Sequence, residues 1–284
     1  MVARKKVARS KGETAASKSG RRTLSALAAQ DDDDSLATLR APGLVRFALE
    51  WRMPLEYAAL VAALPVLRRA PRGDGHPVVV FPGLMAHDIT TWALRRYLYD
   101  RGYTAHPWGE GFNLGPRDDM LERFAERVRD LRRERDQKVS LIGWSLGGIY
   151  AREIAKEVAN DVRCVITLGS PFTGHPKATN AWRVFELASG LKAATHPSLP
   201  QLRVAPPVPT TSIYSRSDGF VAWQCSVQKA GPLTENIEVV SSHFGLGFNP
   251  LALYAIADRL AQREDKWQPF ERTGLRRYLY RSRS

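Results

Sequence analysis

Two apolar patterns alternate along the chain. Short runs, "HPVVVFPG", "YTAHPW", "KVSLIGW", "VRCVITLG", "TTSIYS" and "NIEVVSS", have the length and β-branched content of buried strands. Between them stand longer segments with an apolar residue every three or four positions. Leu121, Phe124, Val128 and Leu131 keep that spacing, as do Leu146, Tyr150, Ile154 and Val158, and Leu253, Ile256, Ala257 and Leu260. Asp118, Asp119 and Glu122 open the first of these helices, where the dipole favours acids. Asn249 caps the last, with Pro250 in its first turn. "DITTWALRRYLYDRG" reads as a helix closed by Gly102. Strand and helix in alternation predict an α/β fold, a mostly parallel sheet with helices on both faces.

The pattern also divides the chain. Residues 1–35 lack apolar periodicity and read as a flexible extension, basic and then acidic; residues 36–75 form a helical N-terminal segment, with proline-interrupted helix over 42–70. Its most apolar stretch, "MPLEYAALVAALPVL", falls short of the ~20 residues of a membrane span. It also contains Glu56 and two prolines, so a docked or interfacial helix is expected. Residues 76–270 form one domain. Within it the connection 171–209, between the fourth and fifth strands, is long, rich in proline and has one helical piece, "TNAWRVFELASGL"; it reads as a small cap. Residues 271–284 read as a basic tail.

Charge follows this division. The net charge is +13 over 284 residues; residues 1–30 set eight Lys/Arg against Glu13, and residues 271–284 set five Arg against Glu271. The body between is therefore nearly neutral. That argues against a nucleic-acid-binding domain, which would carry its basic residues on the folded part. Weak contact of the tails with an anionic membrane stays open. Two cysteines, Cys164 and Cys225, make no disulfide framework and fit a reducing compartment. "GRRTLSALAAQ" stops at the acidic block Asp31 to Asp34, too early for an export signal. The expectation is a cytoplasmic protein, with peripheral membrane contact as its one variation.

The candidate chemistry begins at "GWSLG". A strand running straight into a helix forces a strained connecting residue, and Gly143 and Gly147 relieve the crowding around it, so the Ser145 hydroxyl is presented at the sheet edge. Serine needs a base and the base an orienting carboxylate. Among six histidines, His243 in "VVSSHFGLGFNP" follows a late strand pattern, and Asp218 in "SIYSRSDGFV" follows the strand before it. His87, His106, His175 and His196 read as loop or surface residues. No His/Cys/acid spacing suggests a metal, and nothing calls for a cofactor. The amide of Leu146 and, from "FPGLMA", that of Leu84 are the expected oxyanion donors. "HPWGEGFNLGPRDD" lacks a phosphate-loop ending and reads as a loop at the site's mouth. Trp182, Phe185 and Leu191 either cover an acyl pocket or pack the insertion itself.

"GWSLGG", "VITLGSPF", "SRSDGFVAW" and "SHFGLGFNP" resemble the α/β-hydrolase family, in particular bacterial esterases and lipases with a small cap, over roughly residues 76 to 262. The resemblance implies a catalytic Ser145, Asp218 and His243 acting on a small-molecule or lipid ester through an acyl-enzyme. Many relatives have His-Gly at the oxyanion turn; here it is Pro82-Gly83, so only the backbone role carries over. The family's two leading strands are not evident. Three activities stay open at this stage: ester hydrolysis, acyl transfer to an alcohol by the same three residues, and a non-catalytic tether at a membrane surface.

Overall fold

A computed structural model describes residues 38–190 and 199–280; the predicted extension 1–35 and Leu191 lie outside them. Six strands, β1 (Pro77–Phe81), β2 (Thr104–His106), β3 (Val139–Trp144), β4 (Val162–Leu168), β5 (Thr210–Tyr214) and β6 (Thr234–Glu238), pair in the order β2-β1-β3-β4-β5-β6. Every pairing is parallel. The helices are α1 (Leu44–Ala48), α2 (Met53–Leu67), α3 (Trp92–Asp100), α4 (Met120–Arg135), α5 (Leu146–Glu157), α6 (Trp182–Ser189), α7 (Leu199–Leu202), α8 (Pro250–Leu260) and α9 (Arg276–Leu279).

The central strands β1, β3 and β4 are largely apolar and buried because each face of the sheet is covered there, while the edge strands β2 and β6 carry polar residues. Alternate residues of β1 enter different cores. Val78 and Val80 join Ile142 and Ile166 under α2, α3 and α8. Val79 and Phe81 join Leu141 and Val165 under α4 and α5. The predicted helical stripes are the buried ones: Phe124, Val128 and Leu131 in α4, and Leu253, Ile256, Ala257 and Leu260 in α8. The Asn249 side chain accepts from the amides of Leu251 and Ala252, the cap its position called for.

Two expectations are corrected, and one is extended. The sixth strand is Thr234–Glu238, not "NIEVVSS", because β5 offers partners only from Thr210, opposite Thr234, to Tyr214, opposite Glu238. The chain beyond it leaves the sheet to carry the 241–245 loop. Helix α2 runs on through Pro65, whose missing N–H falls near the helix end, and Pro54 sits in the first turn, where no intrahelical donor is needed. Finally, the described part of the basic tail is docked. Tyr280 is buried, donates to the Leu251 carbonyl at 2.9 Å and packs edge-on against Phe270, while Arg276 pairs with Asp258 at 3.3 Å.

The sheet order places the site. From β1 the chain crosses to β2 on one side and returns to β3 on the other, so the C-terminal ends of β1 and β3 flank a crevice where connections diverge.

Candidate active site

The register Phe81 opposite Gly143 sets the Pro82-Gly83 turn beside Trp144-Ser145. Ser145 has φ 52 and ψ −121, a conformation costing a residue with a Cβ on the order of 1–3 kcal/mol. Its amide donates to the Leu168 carbonyl at 2.8 Å, and helix α5 begins at the next residue. The two flanking glycines are required by backbone contact. A methyl on Gly143 would stand 2.2 Å from the Gly147 carbonyl oxygen, and one on Gly147 would stand 2.4 Å from that of Phe81. Gly147→Ala is therefore expected to cost about 3 kcal/mol or more in urea unfolding; stability equal to the parent's would contradict that contact.

Ser145 lines a cavity of about 210 Å³ together with Leu84, Leu146, Phe172, Trp182 and Phe185. Trp182 and Phe185, left open between two readings, thus face the same space as the serine. His175 and Pro116 line it too, so His175 is more than a surface histidine. The amides of Leu84 and Leu146 have no hydrogen-bond acceptor among the described residues. Gly83 lets the first turn close on the second: a methyl there would lie 3.2 Å from Ser145 Cβ.

Asn113, which the sequence left unassigned, braces this turn. Fully buried, it donates from Nδ2 to the Pro82 carbonyl at 2.9 Å, and its own carbonyl accepts from the Met85 amide at 2.7 Å. Tyr150 donates to Asn113 Oδ1 at 3.1 Å. The glycine-rich loop that carries Asn113 does reach the cavity, through Pro116.

Asp218 and His243 meet directly. His243 Nδ1 lies 2.7 Å from Asp218 Oδ2, and the two residues are 5% and 3% exposed. Asp218 Oδ1 accepts from the amides of Phe220 and Val221, each at 2.8 Å. A carboxylate so engaged assigns the proton of a neutral imidazole to Nδ1 and leaves Nε2 as acceptor. Burial pulls the His243 pKa down, but the charge and hydrogen bond of Asp218, with Glu50 adding to them, outweigh it and leave the pKa above the ordinary histidine value. Phe220 stacks on the imidazole at 5.6 Å, and Trp144 Nε1 donates to the His243 carbonyl at 3.1 Å. Ser145 is brought to the same end of the sheet. Leu168 holds its amide, and a methyl on the next residue, Gly169, would stand 3.1 Å from Asp218 Oδ2 and 3.2 Å from His243 Nδ1. No hydrogen bond joins Ser145 Oγ to His243 among the described residues.

Two acids missed in the sequence hold the loops of this pair. Glu50, buried between α1 and α2, accepts from Gly219 N at 2.7 Å, His243 N at 2.9 Å and Phe244 N at 3.1 Å. Glu56 accepts from the amide and hydroxyl of Ser242, both at 2.7 Å. Arg52 links Glu56, at 3.0 Å, to Ser217 Oγ, at 2.8 Å. Glu50 and Glu56 stand six apart in an apolar helical stretch, and acids with no surface to occupy were the available signal.

A second Ser-His-Asp chain lies elsewhere in the fold. Asp74 Oδ1 is 2.5 Å from His76 Nδ1, and His76 Nε2 is 2.8 Å from Ser140 Oγ. Burial and the nearby Arg163 lower the His76 pKa against the pull of Asp74. His76 and Ser140 are fully buried, and Ser140 sits inside β3, where the register against β4 shifts between Val139 and Ser140, with Cys164 Sγ at 3.3 Å. Both groups being shut off from solvent and Ser140 lying inside a strand, this chain pins the opposite end of β3 to the start of β1.

The comparisons agree with this fold. The model of the alpha/beta hydrolase family matches residues 73–281. No curated protein matches the chain. Among solved structures, Aspergillus fumigatus lipase B is 18% identical with a TM-score of 0.51, over 66% of this chain and 53% of that one. The propeptide form of Bacillus licheniformis lipase BlEst2 is 20% identical with a TM-score of 0.52, over 69% of this chain and 52% of that one. A structure of the metagenome-derived lipolytic enzymes LipS and LipT is 15% identical with a TM-score of 0.52, over 67% of this chain and 95% of that one. The chain thus spans about half the length of the first two. At such identities the likeness is one of fold. Parallel sheet, sharp serine turn and matched family region lead to one assignment: the chain belongs to the alpha/beta hydrolase family.

Proposed function

We propose that the protein is a serine-dependent hydrolase of carboxylic esters, working through an acyl-enzyme. The observation that carries this reading is the Asp218 carboxylate, held by two backbone amides on Oδ1, whose Oδ2 fixes His243 with one nitrogen left to accept a proton, at the sheet end where Ser145 lines an apolar cavity. Ser145 Oγ attacks the ester carbonyl carbon and its proton passes to His243 Nε2. The amides of Leu84 and Leu146 donate to the oxyanion. When the carbon–oxygen bond to the alcohol breaks, the alcohol leaves with the proton from Nε2. Water then repeats the sequence: it gives a proton to Nε2, attacks the acyl carbon and releases the acid as Ser145 recovers its proton.

The wall of the cavity supports the proposed substrate class. Phe172, Trp182, Phe185 and Val221 surround a space suited to an apolar acyl chain. The lipases and lipolytic enzymes that share the fold point the same way. A fluorophosphonate probe tests the reading: it is expected to label the purified protein, with the adduct on the peptide containing Ser145. An unlabelled protein, or an adduct on another serine, overturns it. On a series of aryl esters, Phe185→Trp, which adds bulk to the cavity wall, is expected to move the preferred acyl chain to a shorter length.

A further inference from the structure

The N-terminal helices present an apolar surface that the rest of the fold leaves uncovered. None of the residues of α1 is buried, and in the fifteen-residue α2 only Leu60 and Leu67 are. Leu44 is 87% exposed, Trp51 86% and Leu55 74%. Large side chains of this kind in one continuous segment mark a surface that meets another apolar phase. The segment's charges are sorted as well. Its two acids between residues 39 and 73, Glu50 and Glu56, both turn inward onto the 219 and 242–244 loops. Arg46, Arg68 and Arg69 stay exposed, and no ion pair engages them among the described residues. The exposed positions of the segment therefore combine apolar side chains and cations, and neither of its acids is among them.

We infer that α1 and α2 lie on an anionic phospholipid surface, with Trp51 and Leu55 entering the acyl boundary and the arginines meeting lipid phosphates. No helix of the described residues is long and apolar enough to cross a membrane, which fits a helix lying in the interface plane. Charge decides the occupant. A second copy would set this face against itself, arginine against arginine, in a two-fold contact. Residues 1–37 carry eight Lys/Arg against five acids, the same net sign as the arginines they would cover. This docking is independent of the ester chemistry and differs from attachment through the basic ends of the chain.

Co-sedimentation with vesicles of equal parts phosphatidylcholine and phosphatidylglycerol tests it. Three full-length proteins are compared: the parent, a Leu44→Ser/Trp51→Ser/Leu55→Ser variant, and a variant with Arg4, Lys5, Lys6 and Arg9 changed to Gln. The parent and the second variant are expected to bind alike, and the first to lose at least about tenfold in partitioning with an unchanged melting curve, since all three of its positions are exposed. Pure phosphatidylcholine is expected to retain less of the parent than the mixed vesicles do. Equal binding by parent and serine variant overturns the inference, as does equal loss in both variants, which assigns binding to the N-terminal extension. A parent that ignores vesicles overturns it too; sedimentation velocity then tells a self-associated face from one covered by residues 1–37. Fluorophosphonate labelling of the same samples reads the Ser145 site separately, so the two readings fail independently.

Discussion

Ser145→Ala is expected to lower kcat on a short-chain aryl ester by about 10⁵- to 10⁶-fold and to leave the melting temperature within a few degrees of the parent's. The asymmetry follows from what holds the residue in place. Its strained backbone is kept by glycine contacts with Gly147 and Phe81 and by the amide bond to Leu168, all of which an alanine preserves. What disappears is the Oγ that, in the proposed reaction, forms the acyl bond. Single-turnover measurement with a fluorogenic ester checks the chemistry, where no burst of alcohol release is expected, and a thermal melt checks the fold. A variant that keeps its turnover would move the nucleophile elsewhere. Ser140→Ala is the internal control, since that hydroxyl also contacts a histidine but faces no cavity.

Asp218→Asn is expected to lower kcat by about 10⁴-fold and to move the pH profile in a defined direction. In the parent, burial lowers the His243 pKa and Asp218 more than compensates, so the folded value lies above the ordinary histidine value of 6.5. A base must be neutral, and activity therefore falls as pH drops through that raised value. The acidic limb of kcat/KM is expected above 6.5 in the parent. In the Asp218→Asn variant the compensating charge is gone, burial prevails, and the limb moves down. The rate loss arises because the asparagine amide can donate to Nδ1, which turns the Nε2 proton toward the serine. A limb that stays in place in the variant would show that Asp218 does not face the working base. Glu50→Gln tests the smaller contribution: a downward shift of the same limb, less than that of Asp218→Asn.

Much of this was legible in the residues. The central strands appeared as short apolar runs because the sheet is covered on both faces there, and the helices appeared through one-sided spacing. The serine turn was readable because only glycine tolerates the backbone contacts at positions 143 and 147. Asp218 and His243 were placed by their position just past strands. What the sequence withheld were partners chosen by folding. Glu50 bonds to amides 169 and 193 residues away, and although its apolar surroundings set it apart, nothing local names those partners. Asn113 is one polar residue in a loop of many, and its task is visible only once Pro82 lies beside it. The end of β6 could not be read either, because the length of its partner decides it.

The reach of Glu50 bears on how the protein comes to be active. Its partners leave the ribosome long after it does, and the loop that its carboxylate closes is nearly as long as the folded domain. Closing so large a circuit is entropically late, after the neighbouring strand and helix pairs have formed. Until then a buried acid waits without its three donors, and the imidazole loop waits without its clasp. Hydrolytic competence should thus emerge as the final event of maturation, with a nearly complete sheet already in place and a chain stopped short of Phe244 inert.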